Sequence, residues 1–157
     1  MPADIYSRPA RREDEQFIET LLSDNDLVVA DLTEKWECLY VYETDTGRIG
    51  VGGLEQYGDV ALLRSVAITE PERGQGYGTK LCNDLLERTR DAGVTEVYLL
   101  TETAPEFFAG LGFERVNRES VPNPMRETAE FTDFCPSTAE CMKRELDPND
   151  GAEQGVE

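Results

Sequence analysis

Apolar residues recur along this chain at two periods, and each change of period marks a predicted element. Ile5 to Arg8 read as a short edge strand stopped by Pro9. Between Arg12 and Leu22, the residues Phe17, Ile18, Leu21 and Leu22 fall on one helical face. Residues 23–35 suit either a loop or a short second helix. A strand over Glu37 to Tyr42 follows, then the hairpin turn Asp45-Thr46-Gly47, with Gly at the left-handed position. Arg48 to Gln56 and Val60 to Ile68 read as strands linked across Tyr57-Gly58-Asp59. Leu81, Cys82, Leu85 and Leu86 return to helical spacing in a helix over about 76–92, closed by Gly93. Glu96 to Thr101 is a strand, and Pro105 to Leu111 a short helix with Pro near its first turn. Phe113 to Val121, a Pro-bounded segment, and Glu140 to Leu146 supply the last strands.

This order predicts an α+β fold: one central mixed, mostly antiparallel sheet flanked by helices. A chain of 157 residues is long enough to bury a real core in a single domain, predicted over residues 1–146. Residues 147–157 are acidic and apolar-poor, which predicts a disordered tail.

Charge removes several functions. The formal net charge is −18, from 33 acidic against 15 basic residues, and there is no histidine. No basic stripe exists to displace counterions from a phosphate backbone, so a nucleic-acid partner is not expected. The acids are dispersed over the chain, which reads as a solvated, halophile-type surface more than an acidic docking surface. Without histidine, His-based catalysis and His-containing zinc sites are excluded, and no metal is expected. Cys38, Cys82, Cys135 and Cys141 form no Cys-x-x-Cys pair. With no signal peptide or membrane-length apolar run, they are expected to be reduced thiols in a cytoplasmic protein without a membrane partner.

The candidate chemistry sits in Arg73-Gly74-Gln75-Gly76-Tyr77-Gly78-Thr79, between a strand-like and a helix-like run. Glycines at alternate positions clear side chains from the backbone and allow positive φ. A loop emptying into a helix N-terminus aims amide groups and the positive dipole end at one point, which suits a phosphate or pyrophosphate. Arg73 adds a phosphate-matching donor. A P-loop does not fit, because Lys80 stands one residue late, nor does a dinucleotide fingerprint, because Thr79 replaces its third glycine. Arg73, Gly76 and Gly78 do match Arg-x-x-Gly-x-Gly, which resembles the acetyl-CoA pyrophosphate loop of the GCN5-related N-acetyltransferases (GNAT). The order of elements from about residue 3 to 146 and the signature Leu111-Gly112-Phe113 resemble the same family.

The resemblance implies an acetyl-CoA cosubstrate. The backbone of Val66, Ala67 and Ile68 would hold its pantetheine arm, though their side chains also suit an ordinary core strand. Amides from Arg73 through Gly74, Gln75, Gly76, Tyr77, Gly78 and Thr79 would hold the pyrophosphate. A neutral amine would attack the thioester directly while a base removes its proton. Many members carry a Tyr as acid where this chain has Phe108, so the thiolate would leave unassisted or through water, which its modest pKa permits, or another donor would serve. Phe107 and Phe108 would pack around the cofactor. Glu55 is the first choice of general base, beside Gly52 and Gly53, which let a backbone or ligand approach closely; Glu102 is the alternative.

Arg64 breaks the apolar run Val60 to Ile68, so it either turns to solvent or meets an anion. With Ser65 it is read as a clamp on an acceptor carboxylate. Thr128-Ala129-Glu130-Phe131 and Cys135-Pro136-Ser137-Thr138-Ala139 narrow the resemblance to the small N-acetyltransferases of arsenic-resistance operons. Cys135 reads as a buried thiol before a turn Pro more readily than as an arsenic ligand. The reading is an N-acetyltransferase acting on the primary amine of a small, amino-acid-like acceptor, with a homodimer left open. The competitors are a catalytically silent acyl-CoA-binding or regulatory domain, and a protein or peptide acetyltransferase. Arg64 and a covering segment over 122–139 favour a small, closed site.

Overall fold

Val60–Ile68 is apolar at seven of its positions and holds the middle place in a seven-stranded sheet. A computed structural model describes residues 5–25, 36–69, 74, 76–101, 104–122 and 140–146. Its elements run β1 (Tyr6–Pro9), α1 (Glu15–Asp24), β2 (Leu39–Thr44), β3 (Gly47–Tyr57), β4 (Val60–Ile68), α2 (Tyr77–Asp91), β5 (Glu96–Thr101), α3 (Pro105–Gly110), β6 (Glu114–Arg115) and β7 (Glu140–Glu145). The strand order is β1-β2-β3-β4-β5-β7-β6. β4 and β5 pair in parallel, Val60 with Glu96 through Leu62 with Tyr98. β1 with β2, β2 with β3, β5 with β7 and β6 with β7 are antiparallel. This is the expected α+β domain.

Several boundaries moved for local reasons. β1 includes Pro9, opposite Tyr40, because an edge strand can spare one N–H. A 3-10 turn, Arg12–Asp14, precedes α1, and another, Trp36–Cys38, takes the place of the expected first turn of β2. α1 runs on to Asp24, where Asn25 caps it through Nδ2 on the Leu21 carbonyl at 2.8 Å. The region that sequence left undecided otherwise falls at residues 26–35, outside those described, as do 123–139 and the 147–157 tail. The expected strand Phe113 to Val121 shrinks to Glu114–Arg115 plus a 3-10 turn, Arg118–Ser120. Its buried residues, Phe113 and Val121, do not alternate with the polar ones, so no period-2 face exists to extend the strand.

The contacts divide the chain into two compact units. The first takes residues 1–54 and 64–85. Its core packs Ile18, Leu21 and Leu22 of α1 with Leu39, Val41, Val51 and Ala67, which is the amphipathic face the helix pattern predicted. Asp14 is fully buried at the head of α1. Its carboxylate accepts from Arg8 Nη1 and Nη2 at 2.7 and 2.9 Å, from Arg48 Nη1 at 3.1 Å and from the Arg11 amide at 2.7 Å. The Arg8 bonds hold this carboxyl far below the usual carboxylate range, against the opposing pull of burial. The second unit takes residues 55–63 and 86–157. There the Leu146 amide bonds the Thr95 carbonyl at 2.7 Å, closing the β5–β7 pair, while Lys143 Nζ meets Glu96 at 3.2 Å on its rim.

Candidate active site

Adjacent residues of a regular strand point to opposite faces, yet Arg64 Nε donates to Ser65 Oγ at 3.3 Å. The backbone explains it. Ser65 has φ +58°, making it the non-glycine residue with positive φ among those described. A single left-handed residue inside a strand kinks the pleat as a bulge does, and brings neighbouring side chains to one side. Both side chains are buried, Arg64 at 2% exposure and Ser65 at 3%. The solvent-facing option for Arg64 is thereby ruled out, since a surface ion pair needs an exposed guanidinium. Val66, Ala67 and Ile68 complete β4 immediately after this kink. The Thr69 amide bonds the Ile49 carbonyl at 2.8 Å and anchors the strand end.

In the same unit, Gly74 and Gly76 have φ +80° and +86°, and a Cβ at either would meet nothing within 4 Å among the described residues. The backbone turns there in a glycine-favoured conformation beside open space. Tyr77, Gly78 and Thr79 form the first turn of α2, whose opening bond runs from the Lys80 amide to the Gly76 carbonyl at 3.2 Å. Amides of a first helical turn have no intrahelical acceptor and remain available to an anion. The Tyr77 side chain is buried, so only its backbone faces that role. Arg73 and Gln75 lie outside the described residues.

The second unit holds Glu55. β3 runs one residue past the expected Gln56, to Tyr57, and Glu55 is only 6% exposed. The Tyr57 hydroxyl donates to Glu55 Oε1 at 2.5 Å. The sequence signal for Tyr57 is its two-residue spacing from Glu55, which on a strand puts both on one face. On the other face, Gln56 Nε2 donates to the Gly58 carbonyl at 3.0 Å and to the Ala92 carbonyl at 3.3 Å. The alternative base, Glu102, lies outside the described residues, as does Cys135.

Phe108, in place of the expected Tyr, is buried and packs edge-on against Phe107 at 5.1 Å and Phe113 at 5.8 Å. Leu111-Gly112-Phe113 turns out of α3, and the Phe113 amide bonds back to the Phe108 carbonyl at 3.1 Å. Phe108 therefore fills an aromatic core, and Phe107, at 38% exposure, is the ring with a face to offer. Cys38, Cys82 and Cys141 form no disulfide among the described residues, and burial pushes the Cys82 thiol up to about 12. No helix among the described residues is long and apolar enough to cross a membrane.

Known proteins supply an independent reading. The profile of the acetyltransferase (GNAT) domain family matches residues 35–115. An amino-acid acetyltransferase of Neisseria meningitidis is 22% identical over 89 residues, covering 55% of this chain and 20% of the relative. The match thus spans about a fifth of that relative's length. Among solved structures, N-acetylglutamate synthase from Neisseria gonorrhoeae, complexed with coenzyme A and N-acetyl-glutamate, superposes with a TM-score of 0.80 at 19% identity, over 94% of this chain and 36% of its own. Rv2747 from Mycobacterium tuberculosis, in complex with CoA, gives 0.75 at 25% identity over 90% and 99%. These relatives lend no support to a link with arsenic resistance.

Proposed function

This chain belongs to the acetyltransferase (GNAT) domain family, and from that premise we propose that it moves acetyl from acetyl-CoA to the primary amine of a small, amino-acid-like acceptor. The buried Arg64–Ser65 pair carries the proposal. Arg64 is held by the Ser65 hydroxyl in a buried setting, and its planar fork matches a carboxylate. The names of the relatives, an amino-acid acetyltransferase and an N-acetylglutamate synthase, favour the same acceptor class.

Acetyl-CoA, when bound, supplies the thioester. The chain's own residues do the rest. Gly74, Gly76 and the amides of Tyr77, Gly78 and Thr79 cradle the pyrophosphate. The backbone of Val66, Ala67 and Ile68 orients the pantetheine arm. Arg64, steadied by Ser65, holds the acceptor carboxylate, and Glu55 takes the proton from the acceptor amine. Phe108 offers no proton, so CoA leaves as a thiolate and takes its proton from water.

Thiol release from acetyl-CoA across the twenty amino acids tests this reading. Turnover on one acceptor class is the expected result, with Glu55→Gln lowering kcat about a hundredfold and Arg64→Ala raising the acceptor KM. Tight CoA binding with no turnover on any amine would instead favour a silent acyl-CoA-binding domain, the reading that Phe108 keeps open.

A further inference from the structure

The end of β3 is braced as if one side chain there had to be aimed. Gln56 ties the strand to the Gly58 and Ala92 carbonyls, at 3.0 and 3.3 Å. Just beyond, the Thr95 amide and hydroxyl both donate to the Asp59 carbonyl, at 2.8 and 3.2 Å. The tip of the β3–β4 hairpin is therefore held at both its strands' ends, and Tyr57 stands on this held backbone. Its ring is half-buried, and its hydroxyl meets Glu55 Oε1 at 2.5 Å. A solvated surface Glu would gain little from such a partner. A buried one has lost its water, and a phenol donating to a carboxylate replaces part of that solvation with a bond of known direction.

We infer that Tyr57 is a positioning residue for Glu55: its hydroxyl orients the buried carboxylate and favours its ionised form, the form that accepts a proton. The inference rests on Glu55 as the base. The other charged residue of the neighbouring strand β4 is Arg64, and β2 begins its pairing with β3 at Gly53, so it runs away from this end. Tyr57 is the titratable group bonded to Glu55 from its own strand.

Two readouts separate the inference from its premise. Carbon-13 NMR of labelled glutamate side chains, with the Glu55 signal identified by its loss in Glu55→Gln, follows the carboxyl with no need of an acceptor. Tyr57→Phe keeps the ring and should raise the Glu55 midpoint by about one pH unit. An unchanged midpoint overturns the inference. In the unaltered chain, the Tyr57 Cζ signal should titrate with Glu55, and a flat signal also overturns it. In turnover, Tyr57→Phe should lower kcat about tenfold with the acetyl-CoA KM unchanged, and should cost nothing further in the Glu55→Gln background. An equal loss in both backgrounds means Tyr57 does not act through Glu55, which defeats the inference while leaving the base intact. A Glu55→Gln enzyme with full activity defeats the base, whatever the midpoint shows.

Discussion

Two groups of glycines in the first unit answer opposite physical demands. Gly74 and Gly76, in the loop before α2, have φ +80° and +86° and no described atom where a Cβ would stand. Gly50, Gly52 and Gly53, in β3, need no positive φ, yet each lacks room for a Cβ. At Gly50 an added carbon would stand 2.7 Å from the Ala67 carbonyl oxygen; at Gly52, 2.6 Å from Leu85 Cδ1; at Gly53, 3.0 Å from Leu39 Cδ2. The loop uses glycine for conformation, the strand uses it for space. In the sequence, Gly52-Gly53 reads as a place where a backbone or ligand comes close. Something does come close, and at Gly52 it is the core side of α2, through Leu81 and Leu85.

Substitutions can break or sharpen that contrast. Gly50→Ala should cost the most, about 3 kcal/mol, because the Ala67 carbonyl is backbone and cannot rotate aside. Urea unfolding would show it, with CoA affinity falling in parallel as the end of β4 shifts. Gly52→Ala should cost about 1–2 kcal/mol, since Leu85 Cδ1 is a terminal methyl that can turn away. Gly76→Ala meets no atom, so its cost is conformational, about 1 kcal/mol. Its larger effect should appear in calorimetry as about tenfold weaker CoA binding, because the amides proposed to hold the pyrophosphate would move. Gly58→Asn is the smallest change. At φ +68° Asn is tolerated, and both stability and CoA affinity should stay near those of the unaltered chain. If Gly76→Ala destabilises more than Gly50→Ala, the contrast fails.

How far the elements were legible follows from how sharply they are bounded. β4 and β5 matched expectation residue for residue, because each apolar run is hemmed by turn-forming or polar residues. The stretch after Phe113 misled, since apolar residues at irregular intervals imply burial without implying a strand. Glu55 and Arg64 show the same limit at the site. The sequence could say that a Glu lies near the end of an apolar strand and that an Arg interrupts another. It could not say that both are buried, because burial depends on what packs above them.

By itself the sequence determined the order of elements, the glycine-rich turn into α2 and the signature that follows α3, and through them the family and the acetyl donor. Those are local properties: periodicity, turn chemistry and the conformations a residue permits. Tertiary structure alone decided that Ser65 takes φ +58° and turns its hydroxyl to Arg64, and that Tyr57 reaches Glu55. A strand's pleat and burial are set by its neighbours in the sheet and the helices over it, so these side-chain contacts exist only once those neighbours are in place.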